Sequence, residues 1–494
     1  MAQNDLDQRH LETLDRDLNR FSALEQATAY AARPMMGLGV SLVFILLAGL
    51  VAFYLFGQTG NTLVVVIAAG FGAYMALNIG ANDVANNMGP AVGANALTMG
   101  GAIAIAVVFE SAGALIAGGD VVSTIAKGII APESMGNATT FIWAMMSALL
   151  AAAFWVNLAT WVGAPVSTTH SVVGGVMGAG IAAAGFAAVN WPTMGAIAAS
   201  WVISPLLGGL IAAGFLALIK SRIIYQDDKI AAARKWVPIL VGIMGGTFTA
   251  YLALKGLKSL FKIDLPTALL IGAVIGTAIW AVMIPVIKKQ SQGLENRNKS
   301  LKVLFGIPLV VSAALLSFAH GANDVANAVG PLAAIVQAAQ SGDFVSAFSI
   351  PLWVMVIGAL GISFGLFLFG PKLIRLVGSQ ITKLNPMRAY CVALSAAITV
   401  IVASWLGLPV SSTHIAVGAV FGVGFFREWD AERRIKNARL AMPDRTVYAP
   451  EERRRRKLVR RSHFMTIIAA WVVTVPAAAL LSACFFFMLN AALG

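Results

Sequence analysis

The sequence predicts an all-α polytopic membrane protein with about 11 to 13 crossings, built from two internal repeats that carry broken helices. Three observations predict it. Hydrophobic residues make up 59% of the 494 residues and charged residues only 12%, against about 45–50% and about 25% in soluble domains. The apolar runs last about 20 residues, the length a helix needs to cross a bilayer, where a barrel would show alternating segments of about ten. Two sequence elements also occur twice, in the same order and at matched spacing. This composition excludes a water-soluble globule, a coiled coil and a disordered chain.

Residues 1–35 carry 6 acidic and 4 basic side chains and lack the basic start and cleavage site of a secretory signal. They read as a cytoplasmic N-terminal tail. An extra span follows at 36–57, then a first repeat at 58–190, a helical insert at 191–301, a second repeat at 302–428, a basic loop at 429–462 and a C-terminal span at 463–494. Within these segments, apolar spans fall at about 62–79, 94–118, 139–162, 193–219, 236–254, 265–287, 302–320, 350–370 and 386–406. Two Gly-rich stretches that begin at a Pro, about 165–187 and 409–426, read as full spans or re-entrant segments.

Charge sets the orientation. The net charge is +13, and Arg427 to Ser462 alone hold 13 Lys/Arg against 6 Asp/Glu. A basic loop beside a span marks the cytoplasmic side and can touch anionic lipid, so no nucleic-acid partner is needed to explain Arg453–Lys457. Connections at 220–235 and 288–301 are basic as well and go to the same side; Lys255, Lys258 and Lys262 between the two enclosed spans run against that placement. Cys391 and Cys484 lie far apart in apolar runs and support neither a redox nor a metal site.

Residues 80–90 read GANDVANNMGP and residues 321–331 read GANDVANAVGP, identical at nine of eleven positions. Residues 163–180 read GAPVSTTHSVVGGVMGAG and residues 407–424 read GLPVSSTHIAVGAVFGVG, identical at eleven of eighteen. The elements start 83 residues apart in the first copy and 86 in the second. The chain therefore contains one unit twice.

The first element places Asn82, Asp83 and Asn86, and their counterparts Asn323, Asp324 and Asn327, at the end of an apolar span before a Gly-Pro pair. Gly and Pro weaken a helix, so each span is expected to break here. A carboxylate at membrane depth costs about 2.5–3.5 kcal/mol on the gentler insertion scale, so it should face a partner or cavity. Asp and Asn oxygens with freed carbonyls suit Na⁺, a proton or a divalent cation; the plainer alternative is that they tie broken helices together. The second element puts Pro165, Ser167, Thr168, Thr169 and His170, and Pro409, Ser411, Ser412, Thr413 and His414, at helix starts. Free N–H groups and hydroxyls there suit an oxyanion, although Ser and Thr also serve as plain caps. His170 and His414 can orient the turn, donate to an anion or carboxylate, or titrate. Glu110 sits mid-span without a duplicate, as a proton carrier, an ion ligand or an interhelical bond. Asp120 and Lys127 fall near a span end, and Asn157 and Ser395 suit interhelical hydrogen bonds.

Broken helices meeting near the midplane of a duplicated fold are the architecture of secondary transporters. No phosphate-binding G-x-x-x-x-G-K-[ST] loop supports primary pumping, and no H-E-x-x-H set or nucleophile–base pairing supports an enzyme. A charge crossing 100 mV costs about 2.3 kcal/mol, so importing a dianion calls for accompanying cations.

The doubled GANDVAN…GP with the doubled PVS[ST]TH resembles the inorganic phosphate transporter (PiT) family, over about residues 60–430, and VVSTIAKGII at 121–130 is similar to that family too. The resemblance implies two inverted repeats, dimers, and import of inorganic phosphate coupled to Na⁺ or H⁺ across a bacterial cytoplasmic (inner) membrane. It implies no cofactor and no resident metal. Some relatives carry neutral metal-phosphate complexes with protons, which leans the coupling ion toward H⁺; relatives that carry sulfate make sulfate the alternative cargo, and an anion channel is the more distant one. Carried over by motif, Asn82, Asp83, Asn323 and Asp324 belong to the cation and substrate sites, and Ser167, Thr168, Ser411 and Ser412 line the phosphate site. Asn87 faces Ala328 in the second copy, so the two sites need not be equivalent. Asp83 or Asp324 could accept a P–OH proton that sulfate lacks.

Overall fold

The computed structural model describes residues 36–57, 60–162, 166–256, 263–341, 349–380, 384–441 and 461–493. The N-terminal tail, Pro165, Lys258, Lys262 and most of the basic loop lie outside the described residues.

The described chain is helical throughout, apart from a single bridge between Ile130 and Val189. In chain order the helices are α1 (Met36–Phe56), α2 (Thr62–Gly93), α3 (Met99–Ala117), α4 (Gly119–Lys127), α5 (Ala138–Val162), α6 (Thr168–Ala184), α7 (Trp191–Ile219), α8 (Lys229–Lys255) and α9 (Leu265–Gln290). They continue with α10 (Asn298–Leu304), α11 (Gly306–Asp324), α12 (Ala326–Ser341), α13 (Leu352–Gln380), α14 (Pro386–Trp405), α15 (Ser412–Ala441) and α16 (Arg461–Leu493). Among the described residues, eleven stretches are long and apolar enough to cross a membrane, α11 and α12 counting as one. The predicted spans match them, except that the two carrying the Asn-Asp motif run on past their predicted ends at 79 and 320 to Gly93 and Gln340. The starts follow local chemistry: Thr98, Asn190, Asp228, Asp264 and Asn385 each accept a hydrogen bond from a backbone N–H of the first turn.

One expectation fails in the first copy. Helix α2 runs unbroken through the Asn-Asp motif with Pro90 inside it. In the second copy the chain does break, between Asp324 and Ala326, but ahead of Gly330-Pro331, and Pro331 lies inside α12. Opening a helix in an apolar interior strands several backbone groups, whereas an internal proline forfeits one hydrogen bond; packed neighbours make the proline the cheaper choice.

The two copies interlock. Helix α2 packs on α13, and its counterpart α11 packs on α3. Both pairs approach backbone to backbone at a glycine: a Cβ added to Gly80 would lie 1.9 Å from the Ile362 carbonyl oxygen, and one added to Gly321 would lie 2.1 Å from that of Glu110. Likewise α16 packs on α6 as α7 packs on α15. Helices α5–α6 and α14–α15 form two hairpins. The open end of the first lies by the start of α7, where Asn190 N donates to Ile129 O at 2.9 Å. The second hairpin's open end, at Asn385–Arg388 and Arg427, lines a cavity with Leu216 and Ile224 at the other end of α7. Helix α7 is 29 residues long, or about 43 Å at 1.5 Å per residue.

The lone basic link that opposed the predicted orientation has a partner: Lys255 is ion-paired with Asp120 in the first turn of α4. Asn157 Nδ2 donates across helices to Asn78 Oδ1 at 3.2 Å, as expected. Ser395 does not reach a neighbour; its hydroxyl donates to Val392 O within its own helix, since the carbonyl one turn back lies within reach of any helical serine.

Candidate functional site

The tips of the two hairpins meet in the core against the polar segments of α2 and α11. At each tip a serine closes the first turn, with Ser167 extended: Ser167 Oγ accepts from His170 N at 3.2 Å, and Ser411 Oγ from His414 N at 3.3 Å. The next hydroxyl in each copy donates to the aspartate of its own repeat. Thr168 Oγ1 reaches Asp83 Oδ2 at 2.9 Å, and Ser412 Oγ reaches Asp324 Oδ2 at 2.9 Å. The third crosses over: Thr413 Oγ1 donates to Asp83 Oδ1 at 3.1 Å, while Thr169 Oγ1 sits 3.5 Å from Asp324 Oδ1 and 3.0 Å from Val410 O.

The asparagines complete the pattern. Asn86 Nδ2 donates to Thr413 Oγ1 at 2.8 Å and Asn327 Nδ2 to Thr169 Oγ1 at 3.1 Å. Asn82 Nδ2 donates to Asp83 Oδ1 at 3.1 Å and to Val166 O at 3.3 Å. Asn323 spans its own hairpin tip, donating to Leu408 O and accepting from Val410 N at 3.2 Å. All twelve residues of the doubled motif thus fall in one constellation, and both aspartates are 1% exposed. The carbonyls among them come from the hairpin-tip residues Val166, Leu408 and Val410, not from breaks in the motif helices as the sequence suggested.

His170 serves its turn. Its Nδ1 lies 2.8 Å from Ser167 Oγ and its ring stacks on Trp201 of α7 at 3.7 Å. The rings of His170 and His414 lie 4.5 Å apart where the tips meet.

Sequence reasoning missed His320. This residue is fully buried on α11 among three carboxylates: Nε2 lies 2.8 Å from Asp324 Oδ2 and 4.0 Å from Asp83 Oδ2, and Nδ1 lies 3.3 Å from Glu110 Oε1. Neither ring nitrogen is aligned for a hydrogen bond, so these are contacts of charge and dipole. Ligand atoms of Asp83, His320 and Asp324 come within 4.8 Å of one another, a set able to hold a cation. Glu110, also fully buried, accepts from Asn87 Nδ2 at 2.9 Å, while its Oε2 and the Oδ1 atoms of Asn87 and Asn327 have no partner. Buried oxygens without a donor are costly unless a cation or proton serves them.

This polar trio breaks the repeat. The aligned motifs put Ile79 opposite His320 and Ala328 opposite Asn87, and the matched glycine contacts put Ile362 opposite Glu110. Subtracting one copy from the other would have exposed His320.

Comparison with known proteins gives the family of the chain. A model of the phosphate transporter family matches residues 79–482. A provisionally named phosphate permease of Helicobacter pylori is 53% identical over 418 residues, covering 83% of this chain and 78% of that one. One from Thermococcus kodakarensis is 40% identical over 367 residues, 74% of this chain and 89% of its own. Among solved structures, the sodium-dependent phosphate transporter superposes with a TM-score of 0.78 at 36% identity, covering 87% of this chain and 100% of that chain. Motifs, fold and relatives agree that the chain is a membrane protein of the phosphate transporter family, a transporter and not an enzyme.

Proposed function

We propose that the chain imports inorganic phosphate by cation-coupled symport. The observation that carries this reading is the pair of buried aspartates, each holding the hydroxyl of a hairpin tip at 2.9 Å. A hydroxyl has one proton to give. While Thr168 and Ser412 donate to carboxylates, they cannot donate to an anion. A cation bound at Asp83 and Asp324 neutralises those acceptors and releases the hydroxyls to turn toward phosphate. Cation therefore binds first, and the same bonds couple the two ligands.

Sodium is the first assignment. The oxygen-rich set of Asp, Asn, Thr and carbonyl groups suits a hard cation, and the 36% identical solved relative is described as sodium-dependent. A proton is the second, carried by His320 standing between Glu110 and Asp324. On phosphate over sulfate, a carboxylate acceptor beside the anion takes a P–OH hydrogen bond that sulfate does not offer. The opposed open ends of the two hairpins support two inverted repeats, so that rocking of one against the other alternates access to a fixed site. The charge pattern supports a cytoplasmic-membrane location with the basic connections inside. A homodimer belongs to the same reading.

Radiolabelled phosphate uptake into proteoliposomes, with Na⁺ and proton gradients imposed separately and excess sulfate as competitor, tests this. Accumulation driven by one gradient and indifferent to sulfate supports symport and names the ion. Accumulation driven by neither, or abolished by sulfate, overturns it.

A further inference from the structure

Away from the buried site, six chain segments converge at one membrane face: the turn after α2 (Gly93–Ala96), the π-helical turn after α7 (Lys220–Ile224), α10, the start of α11, the start of α14 and Arg427 on α15. They enclose two adjoining cavities of about 670 and 430 Å³, which share Lys302, Asn385 and Arg388 as walls. The cationic lining is Lys220, Lys299, Lys302, Arg388 and Arg427, and no acidic side chain lines either cavity among the described residues.

Lys220 is already paired with Asp430 at 2.7 Å. The other four make no ion pair among the described residues. Arg388 and Arg427 are half-buried; Arg427 feels the charge of Glu428 beside it, whereas Arg388 makes no ion pair among the described residues, which makes its guanidinium costly to keep. Arg388 Nε donates to Asn385 Oδ1 at 3.1 Å, fixing the plane of its guanidinium at the cavity wall. Two half-buried guanidinium groups with two lysines at the rim form a fork-and-point-charge arrangement that matches the oxygens of a phosphate group.

We propose that this vestibule is a second anion site that takes one phosphate group, held by Arg388 and Arg427 with Lys299 and Lys302 at the mouth. An anionic phospholipid headgroup and free inorganic phosphate share that chemistry, whereas the phosphate of phosphatidylcholine is neutralised by its own choline. The site stands apart from the Asp83–Asp324 constellation and does not depend on the transport reading.

The test is amine-labelling of Lys299 and Lys302 in the full chain, read by mass spectrometry. Nanodiscs of phosphatidylcholine alone, phosphatidylcholine with added inorganic phosphate, and phosphatidylcholine mixed with phosphatidylglycerol form the three arms, with exposed Lys289 as internal control. Severalfold slower labelling of Lys299 and Lys302, but not Lys289, is expected in at least one of the two arms that add an anionic phosphate, relative to the zwitterionic phosphatidylcholine arm. Protection by inorganic phosphate identifies a free anion, and protection by phosphatidylglycerol a headgroup. Protection should vanish in the Arg388→Gln/Arg427→Gln double variant and persist in Ser412→Ala. Equal labelling in all arms of the wild-type chain overturns the proposal, as does protection that survives loss of both arginines. Loss of protection in Ser412→Ala would assign the effect to the buried site and equally overturn a separate one.

Discussion

The proton competition at the hairpin tips makes a prediction of opposite signs. In Ser412→Ala, Asp324 loses its 2.9 Å hydroxyl donor. What is left is Thr169 at 3.5 Å, nearer to Val410 O than to the carboxylate, and the off-axis contact with His320. Hydrogen bonds to charged groups contribute about 1.5–3 kcal/mol. Phosphate should lose affinity because a donor is gone, while the cation should gain affinity because its competitor for Asp324 is gone. At 1.4 kcal/mol per decade the ceiling is about ten- to hundredfold in each direction. Thr168→Val is the matched control. Asp83 there keeps Thr413 at 3.1 Å and Asn82 at 3.1 Å, so its cation gain should be smaller. Equilibrium binding of radiolabelled sodium without phosphate gives one constant, and the apparent KM for phosphate uptake gives the other. If sodium binding weakens in Ser412→Ala, the hydroxyl is a cation ligand and not a competitor, and the coupling argument fails. Equal sodium shifts in the two variants would refute the asymmetry.

Three further outcomes test other parts of the structure. Glu110→Gln removes a carboxylate facing His320 at 3.3 Å; coupled uptake should fall at least tenfold with the unfolding temperature little changed, and normal uptake would make Glu110 merely a packing group for Asn87. Gly321→Ala puts a Cβ 2.1 Å from the Glu110 carbonyl oxygen, so α3 and α11 must separate; a loss of about 1–3 kcal/mol or more is expected, read as a lower melting temperature in detergent, and an unshifted melt would contradict the backbone contact. Lys255→Ala breaks the pair with half-exposed Asp120, where about 0–1 kcal/mol is at stake; uptake should stay at the wild-type level, and a large loss would place that pair in the transport machinery.

What the sequence made legible follows from duplication. Asp83, Asp324 and the six tip hydroxyls stood out because each was written twice, and the doubled spacing foretold that the two elements of a copy would meet. The same method hid His320, because a search for identity passes over a residue whose counterpart is Ile79. Glu110 was visible as a charge in an apolar run, but its partners Asn87 and His320 come from other helices, and periodicity within one span carries no word of them. The break at Gly-Pro failed for a related reason. Local propensity argued for an open helix at Pro90, while the packing of α2 against α13, set by residues such as Gly80 and Ile362 some 280 positions apart, held it closed.

Charge balance at the core finally bears on the kind of transport. Asp83, Asp324 and Glu110 bring three carboxylates to one imidazole, and no Lys or Arg approaches them within ion-pair distance among the described residues. With all three acids ionised, three negative charges would face one positive even if His320 were charged. Two unit charges 4 Å apart interact by about 4 kcal/mol at an effective dielectric of 20. An anion arriving alone would meet a repulsion of that order from each uncompensated acid, larger than the donors of two helix starts can offset. Pores selective for anions line their constrictions with Arg or Lys; this core does the reverse. On the proposed reading the constellation becomes hospitable to phosphate only after cations or protons have entered it, which argues against an anion channel and would make cation-first binding a consequence of the buried charge itself.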